Sequence, residues 1–300
     1  MEPYKSEAEF LAHYDKTKYD RPSVTVDTLV FSLYSEEPNN YRKLPKKALQ
    51  VLLIKRKGYP EKDKWALPGG FINMDEDLET SALRELKEET NIDDIYIEQL
   101  YTYGSVGRDP RTRVISCTYL ALTDGSKKVV KAGDDAAQAE WFEVKSKLFE
   151  EQKRIEENGY TLTRLYKIEL ANDRYQLSSI VKVVIKVTGK QVRVYREVVE
   201  SNDIAFDHGV IIHYGLERLR NKIEYTDIAF HLMGEYFTLT ELQQVYEVIL
   251  DKELLKANFR RKIADRVIET NQFTKDAGHR PSKLYKFNPE WTYLNFERSN

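Results

Sequence analysis

The sequence predicts an α+β protein with two domains, and three observations support this prediction. The first half holds four short β-rich runs, namely Ser23 to Leu33, Leu49 to Arg56, Ile95 to Tyr103 and Arg113 to Leu122. One strongly helical pattern, Leu78 to Thr90, lies between the second and third runs. Apolar residues return to helical spacing in Asp207 to Ile223, Thr240 to Leu250 and Lys256 to Thr270. Strands around one central helix favour an α/β or α+β sandwich over an all-β domain, and the later helices indicate a second domain.

Length and composition place the chain among globular proteins. Its 300 residues exceed the usual size of one domain, which predicts two compact units. With 41% hydrophobic and 32% charged residues, it lies far from disordered and collagen-like compositions. The charged N-terminus lacks the apolar stretch of a secretory signal, and no segment approaches the length of a membrane span. The single cysteine, Cys117, excludes an intrachain disulfide and a cysteine-based zinc site, so we expect a cytoplasmic protein without membrane contact.

Between the two parts lies a β-rich insert to which the sequence assigns no chemistry. Its residues alternate from Thr161 to Val199, and turn signals at Asn172-Asp173 and Thr188-Gly189 predict β-hairpins. The predicted division of the chain is a first domain at 1–146, the insert at 147–203 and a mostly helical domain at 204–300.

The helix from Leu78 to Thr90 carries three carboxylates on one face. Glu85 stands three residues before Glu88 and four before Glu89, and residues at these spacings are neighbours on a helix. Carboxylates so close repel one another unless cations neutralise them, and hard oxygen ligands suit Mg²⁺ or Mn²⁺. Such ions would bridge phosphate oxygens and lower the pKa of an attacking water. The alternative is a solvated acidic helix face.

The residues around this helix decide between these two interpretations. The segment from Gly70 to Ile92 matches the pattern GX5EX7REUXEEXGU at every specified position except the second glycine, which is Asn91 here. It therefore resembles the signature of the Nudix hydrolases, and the flanking segments WALPGGF and DDAAQAEWF resemble that family's context. Position 91 commonly needs a left-handed backbone, which asparagine adopts best after glycine.

The resemblance implies a Nudix α/β/α sandwich at residues 1–146 and hydrolysis of a nucleoside diphosphate that depends on Mg²⁺ or Mn²⁺. It assigns the metal ligands Glu85, Glu88 and Glu89 and makes Glu85 a candidate base. It adds Gly70 to the substrate site. Arg84, grouped with the catalytic residues, is expected to brace the carboxylates. Either Asp134 or Asp135 could supply a further acid, or both could lie in a solvated loop.

The segment after the signature supplies candidate substrate ligands. YTYGSVGRDPRTRVISCTYLAL is similar to a segment of the ADP-ribose pyrophosphatase-like Nudix proteins, which implies a substrate such as ADP-ribose. Arg108 and Arg111 are predicted to clamp a diphosphate, because guanidinium forks bind oxyanions bidentately. The alternative is a structural turn stabilised by Asp109. Arg56 and Lys64 are weaker candidates of the same kind.

Residues 204–288 resemble the C-terminal part of the Nudix-related transcriptional regulators of NAD metabolism. In those proteins a Nudix domain senses ADP-ribose, and a winged helix-turn-helix domain binds operator DNA as a homodimer. From Leu254 to Lys286 there are nine Lys or Arg and three Asp or Glu, a net charge of +6, so the rest of the chain carries -8 towards the total of -2. The resemblance and the charge predict duplex DNA and a second copy of the chain as partners. The alternative is a solvated basic helix in an oligomerisation domain.

The helix predicted from Lys256 to Thr270 would present the DNA-binding face. Its apolar residues at four-residue spacing, predicted to face the core, are Leu255, Phe259, Ile263 and Val267. Its outward residues, predicted to bind DNA, are Lys256, Asn258, Arg260, Arg261 and Lys262. Lys and Arg would contact phosphates and Asn258 a base edge, with a wing at residues 278–286.

Two functions therefore remain open from the sequence. One is a Nudix hydrolase that also binds DNA, and the other is a regulator whose Nudix domain binds ADP-ribose without turning it over. His208 and His213 lie on the linking helix without a metal-binding spacing, so they are expected to be packing or solvated residues.

Overall fold

The computed structural model describes residues 4–36, 45–93, 95–124, 136–274 and 281–291. The strands in this part of the chain are β1 (Ser23–Glu36), β2 (Lys46–Arg56), β3 (Trp65–Ala66), β4 (Gly69–Phe71), β5 (Tyr96–Tyr103), β6 (Val114–Thr123), β7 (Ala136–Glu156), β8 (Gly159–Ala171), β9 (Gln176–Thr188), β10 (Gln191–Asn202), β11 (Val267–Phe273) and β12 (Lys283–Phe287). The α-helices are α1 (Glu7–His13), α2 (Leu78–Thr90), α3 (His208–Lys222), α4 (Leu239–Leu250) and α5 (Lys256–Ile263), and a 3-10 helix spans Ile228–Leu232.

One large sheet organises the molecule. Its order is β10-β9-β8-β7-β2-β1-β6-β5, with β3 added to β2 and β4 to β1. Successive side chains of β1 point to opposite faces, so Leu29 and Phe31 pack in the same core as the apolar residues of α3, whereas Val30 packs beside Leu86 of α2. A helix on each face of the sheet confirms the predicted α/β/α sandwich.

The bounds of α2 agree with the predicted helix from Leu78 to Thr90. Asn91 ends it in the left-handed conformation, with φ 60° and ψ 23°, and donates its N–H to the carbonyl of Lys87 at 2.8 Å. The expectation that asparagine keeps the geometry of the missing glycine is confirmed.

The β-rich insert lengthens the same sheet. The hairpin turns are confirmed: Asn172 Oδ1 accepts the N–H of Tyr175 at 2.9 Å, and Gly189 has a φ of 57°. β7 crosses the predicted boundary between residues 146 and 147, because Glu143 to Glu156 pair continuously with β8 apart from one bulge. The boundary therefore falls inside a strand, and the division of the chain into domains stays a prediction.

α3 lies between the sheet and the C-terminal region. Nine of its fifteen residues are buried, and eight of these nine lie between His208 and Leu216. Gly215 allows its close approach to the sheet, since a Cβ there would lie 2.0 Å from Leu29 Cδ2. α3 thus packs on the sheet of the first predicted domain, although the prediction assigns it to the last one.

The C-terminal region contains α4, α5 and the β11–β12 hairpin, the elements of a winged helix. α4 begins with a capping box, in which Thr238 N–H donates to Glu241 Oε2 at 2.7 Å and Glu241 N–H donates to Thr238 Oγ1 at 3.1 Å. Part of the predicted wing lies outside the described residues, and its described part contains β12. No described helix is long and apolar enough to cross a membrane.

The prediction of one helix from Lys256 to Thr270 is wrong for the C-terminal half of this range. α5 ends at Ile263, and Val267 begins a strand that pairs with β12. Of the predicted apolar ladder, Phe259 and Ile263 are buried, whereas Leu255 is 74% exposed. Apolar spacing cannot place this helix end, because the pairing with β12 is a long-range contact that overrides local preference.

Candidate ligand pocket and DNA-binding surface

Arg84 lies at the centre of the acidic face of α2. Its Nε donates to Glu76 Oε1 at 2.8 Å, and its Nη1 donates to Glu85 Oε1 at 2.8 Å and to Glu88 Oε2 at 3.1 Å. These bonds hold the pKa of Glu76 down at about 2, with a further contribution from the Ser81 hydroxyl. A guanidinium therefore compensates three of the carboxylates, as the expected bracing role of Arg84 requires.

Glu89 has a different environment from Glu85 and Glu88. It is buried, and its Oε2 accepts the N–H of Gly69 at 2.7 Å. Burial, together with the carboxylates of Glu85 and Asp27, raises the pKa of Glu89 to about 8. Glu85 and Glu88 are thus paired with an arginine, whereas Glu89 is bonded to a backbone amide in a buried position that favours its protonated form.

Two glycines let the α2 carboxylates reach the sheet. A Cβ on Gly70 would lie 2.6 Å from Glu85 Oε2, and one on Gly69 would lie 2.1 Å from the carbonyl oxygen of Val26. Side chains at these positions would displace β4 or the carboxylates. The glycines of WALPGGF are therefore needed for close packing at this site.

A cavity of about 530 Å³ opens beside these glycines. All four predicted substrate residues line it together with two predicted metal ligands: Arg56, Gly70, Arg108, Arg111, Glu85 and Glu89. Arg84 and Glu88 are not among the described residues that line the cavity. The Glu88 side chain is 60% exposed. The fold thus brings together residues that are far apart in the sequence, while Glu88 remains at the rim.

The arginines on the cavity wall are held by other side chains. Arg111 forms a two-point ion pair with Asp109, at 2.7 and 3.0 Å, and its guanidinium lies 5.2 Å from the Phe71 ring centroid. Asp109 Oδ1 also accepts the N–H of Arg111 at 2.9 Å. This bond forms the structural turn that is the alternative to a diphosphate clamp. The clamp and the turn are therefore compatible. Lys64 pairs with Glu61 at 2.5 Å and does not line the cavity.

Arg56 and Arg108 are the other cations of the wall. Arg56 Nε donates to the carbonyl of Pro60 at 3.0 Å, and its guanidinium stacks 5.0 Å from the Phe206 ring centroid. Arg108 forms a two-point ion pair with Asp207, at 2.7 and 3.0 Å, and only 7% of its side chain is exposed. The bidentate edge of the Arg108 fork is therefore already occupied.

The lining residues that the sequence did not single out as ligands include Asp27, Phe206 and His208. His208 is buried, its Nδ1 accepts the N–H of Leu67 at 2.9 Å, and its Nε2 lies 3.8 Å from Asp27 Oδ1. Burial lowers the pKa of His208, so the ring is neutral. Of the two expectations for this residue, packing is confirmed and solvation is wrong, because no local pattern shows that the start of α3 meets β3 and β4. His213 is buried as well.

The acidic side chains that line the cavity are of the chemical kind that binds a hard divalent cation. Glu85, Glu89 and Asp27 offer carboxylate oxygens to the cavity, and such oxygens are what Mg²⁺ and Mn²⁺ prefer. Within the described ranges, no three acidic, histidine or cysteine side chains converge as a metal-binding group. Asp134 and Asp135, the further candidate acids, lie outside these ranges.

The predicted DNA-binding face of α5 is exposed to solvent. Its residues are Lys256, Asn258, Arg260, Arg261 and Lys262, and all five are exposed while Phe259 and Ile263 are buried on the other side of the helix. Contacts within this face are long: Arg261 Nη2 lies 3.4 Å from Asn258 Oδ1, and Lys262 Nζ lies 3.8 Å from Glu224. The result is a basic surface that faces solvent.

A sandwich with the signature helix on one face, followed by a winged helix, defines a Nudix domain joined to a DNA-binding module. Residues 44–165 match the NUDIX domain family, and residues 229–287 match the NrtR DNA-binding winged helix domain. The chain is 33% identical, over 98% of its length and 94% of the relative's, to a protein of Acinetobacter baylyi named ADPR responsive transcriptional repressor NtrR. The chain therefore belongs to the NrtR family, in which a Nudix domain and this winged helix occur together.

Solved structures and a shorter relative agree with this assignment. A MutT/nudix family protein from Enterococcus faecalis superposes with a TM-score of 0.68, 29% identity and 94% coverage of both chains. The NrtR of Shewanella oneidensis, complexed with a 27mer DNA, superposes with a TM-score of 0.55 and 26% identity, covering 90% of this chain and 95% of that one. An ADP-ribose pyrophosphatase of Methanocaldococcus jannaschii is 39% identical over 126 residues, 42% of this chain and 64% of that enzyme.

Proposed function

We propose that this protein is a cytoplasmic transcriptional repressor whose Nudix cavity senses ADP-ribose and whose winged helix binds duplex DNA as a homodimer. The observation that carries this proposal is the similarity to the A. baylyi repressor along nearly the whole chain, insert and linking helix included. A shared Nudix domain alone would support many functions, whereas the combination of both domains supports regulation by a ligand.

The charges of the cavity suit a nucleoside diphosphate. Arg56, Arg108 and Arg111 supply cations on its wall, and guanidinium forks match the oxygens of a diphosphate. ADP-ribose is the proposed ligand because the A. baylyi repressor is named for its response to it and the archaeal relative is an ADP-ribose pyrophosphatase.

The surface of α5 suits a phosphate backbone. Four of its five predicted contact residues are Lys or Arg, and all are exposed. Cations there would contact phosphates of the duplex, and the fifth residue, Asn258, would contact a base edge. A homodimer would place two such helices on one operator.

Hydrolysis of the ligand is the second candidate function, because every acidic position of the Nudix signature is present. Glu85 and Glu89, with Glu88 at the rim, are the residues that would hold Mg²⁺ or Mn²⁺. Such an ion would supply charge neutralisation at the diphosphate and a more acidic water. Arg84 bonds to Glu88 Oε2, so Glu88 Oε1 is the oxygen that could bind a metal while this bond is kept. Glu85, which lines the cavity, is the candidate base.

The first experiment measures DNA binding and ligand response together. Full-length protein is titrated by fluorescence anisotropy against duplexes from its own upstream region and from genes of NAD metabolism, in EDTA, with and without ADP-ribose. We expect binding that weakens steeply with salt and changes on addition of ADP-ribose. No salt-sensitive binding to any duplex by folded, dimeric protein would overturn the repressor proposal.

A second experiment tests hydrolysis with Glu88→Gln. If Glu88 is a metal ligand, this substitution should lower turnover of ADP-ribose at limiting Mg²⁺ by at least tenfold, on the order of 1.4 kcal/mol in the barrier. Glu79→Gln, on the same helix outside the signature carboxylates, is the matched control. Wild-type turnover by folded Glu88→Gln protein would remove this residue from the metal site.

A further inference from the structure

The segment that leads into α3 is bonded to two parts of the lining of the ligand cavity. We call residues 203–208 the α3 entry segment. It forms three hydrogen bonds with residues 65–67: Trp65 N–H to the Asp203 carbonyl at 2.8 Å, Ala205 N–H to the Trp65 carbonyl at 2.8 Å, and Leu67 N–H to His208 Nδ1 at 2.9 Å. These bonds fix the start of α3 to the wall that carries Gly69 and Gly70.

The segment is also bonded to a second part of the cavity lining, the loop between β5 and β6, through a side-chain pair. Arg108 of the loop between β5 and β6 donates through Nε and Nη2 to the two carboxylate oxygens of Asp207. The side chains are 7% and 24% exposed, so little water competes for this pair. A buried two-point ion pair is strong and directional, and removing either partner leaves the other charge uncompensated.

The backbone of the entry segment is under local strain. Asp203 and Phe206 have φ values of 61° and 51°, in the left-handed region. Aspartate enters this region more readily than most residues, whereas a bulky residue such as Phe206 rarely does. Such conformations persist only where surrounding contacts hold them. The bonds to both parts of the cavity lining are those contacts, so the loss of one part would let the segment relax.

The far end of α3 is bonded to the winged helix. Arg220 Nε donates to the Ile249 carbonyl of α4 at 3.0 Å, and Arg266, just after α5, donates to the Glu224 carbonyl at 2.9 Å. A helix of fifteen residues therefore connects the cavity to both helices of the DNA-binding module. Its length is about 22 Å at the rise of an α-helix.

We propose that the Arg108–Asp207 ion pair is the contact that a diphosphate ligand breaks in order to reposition α3 and the winged helix. This inference rests on the proposed function and names the regulatory element of the same site. Arg108 lines the cavity, yet Asp207 occupies the bidentate edge of its fork. A diphosphate that takes this edge displaces the carboxylate. A ligand shifts a protein between two conformations only if it binds one of them more tightly. Here the diphosphate would bind more tightly to the conformation in which Asp207 has released Arg108.

The test compares Asp207→Asn with Glu217→Gln. Glu217 also lies on α3 and pairs with Arg196 of β10 at 3.0 Å, away from the ligand cavity, so it is a matched control for loss of one ion pair on the same helix. For each variant the Kd of ADP-ribose is measured by calorimetry in EDTA, with and without saturating operator duplex. The ratio of the two values is the coupling factor, which is about 5–150-fold in typical allosteric proteins.

We expect Asp207→Asn to bind ADP-ribose at least as tightly as the wild type, because the competing carboxylate is gone, and to show a coupling factor within twofold of 1. Glu217→Gln should keep the wild-type factor. The inference is overturned if Asp207→Asn keeps the wild-type coupling factor, or if the coupling factor falls equally in both variants. An absence of coupling in the wild type overturns the proposed function instead, so the two failures are distinguishable.

A second variant, which keeps both charges of the pair, tests the inference if Asp207→Asn does not fold. Arg108→Lys retains a cation but cannot form the two-point pair, so we expect weaker ADP-ribose binding and a coupling factor reduced at least fivefold. Hydrogen exchange of the wild type adds a direct readout. ADP-ribose should increase exchange of the amides at 203–208, and unchanged or slower exchange there would overturn the inference.

Discussion

The acidic helix α2 and the basic helix α5 carry dense charge of opposite sign, and the fold treats the two in opposite ways. Around α2, Arg84 bonds to Glu76, Glu85 and Glu88, and burial raises the pKa of Glu89 to about 8. On α5, the cations are exposed, and two of their contacts with described residues are long, at 3.4 Å from Arg261 to Asn258 and 3.8 Å from Lys262 to Glu224. A small ligand needs a preorganised pocket, whereas a polyanion needs charges that can exchange partners. The difference lies in the neighbours of each charged run, which are packed side chains around α2 and solvent around α5.

The largest effect that we expect tests the buried side of this comparison. The unfolded chain loses the Glu89 proton near pH 4.5 and the folded protein near pH 8, so the stabilisation is complete below pH 4.5 and is lost as the pH rises through 8. Between these limits the unfolding free energy should fall by about 1.4 kcal/mol per pH unit. Urea titrations in EDTA measure it, and Glu89→Gln, which cannot ionise, should lack this slope. Parallel pH profiles of both proteins would contradict the prediction.

The second prediction tests the exposed side. Replacing Arg260 and Arg261 by Ala in both protomers of the proposed homodimer removes four cations. The slope of log K against log salt should therefore become less negative by about 4, which is roughly a 1000-fold loss of DNA affinity near physiological salt. Anisotropy at several salt concentrations gives the slope. Arg154→Ala with Arg193→Ala, on the β-rich insert, is the matched pair that should leave it unchanged. An equal loss in the control pair would indicate diffuse attraction and remove the special role of α5.

A smaller effect is expected at the cavity wall. Arg111→Ala should weaken ADP-ribose binding about tenfold, because one charge-assisted contact to the diphosphate is lost. Calorimetry in EDTA measures this change. Arg113→Ala is the control, since its guanidinium donates to the Ser105 carbonyl at 3.1 Å and does not line the cavity. Unchanged affinity in Arg111→Ala would leave this loop with a structural role only.

The smallest effect on affinity should come from the one uncharged residue of the basic face. Asn258→Ala should leave affinity for nonspecific duplex within about twofold, because Asn258 adds no charge. It should alter the preference for one operator base pair by about 1–3 kcal/mol. Competition with duplexes substituted at single positions detects this change. An unaltered ranking of the duplexes would place Asn258 outside the base-reading set.

The parts of the fold that local chemistry determines could be predicted from the sequence. The bounds of α2, the left-handed Asn91 and the exposure of the cations on α5 follow from side-chain spacing and backbone preference. The position of Arg84 among the carboxylates follows from its place one and four residues before Glu85 and Glu88. Each of these features depends on residues within a few turns of one helix.

Features that depend on distant contacts could not be predicted. Arg108 and Asp207 are 99 residues apart, and Leu67 and His208 are 141 residues apart, so no spacing indicates that they meet. The end of α5 was misplaced for the same reason, since pairing with β12 decides it. The catalytic, metal-binding and DNA-binding roles of the site residues stay predictions until the variants are measured.

Gly215 stands at the middle of α3, seven residues from either end, where its backbone lies against Leu29. We expect that contact to act as a fulcrum. A helix supported at its midpoint turns as a lever with two arms of about 10 Å each, so a tilt that raises the cavity end lowers the winged-helix end by a similar distance. A bulkier side chain at position 215 would move α3 away from the sheet and weaken the coupling between its two ends, even though it would touch neither the ligand nor the DNA.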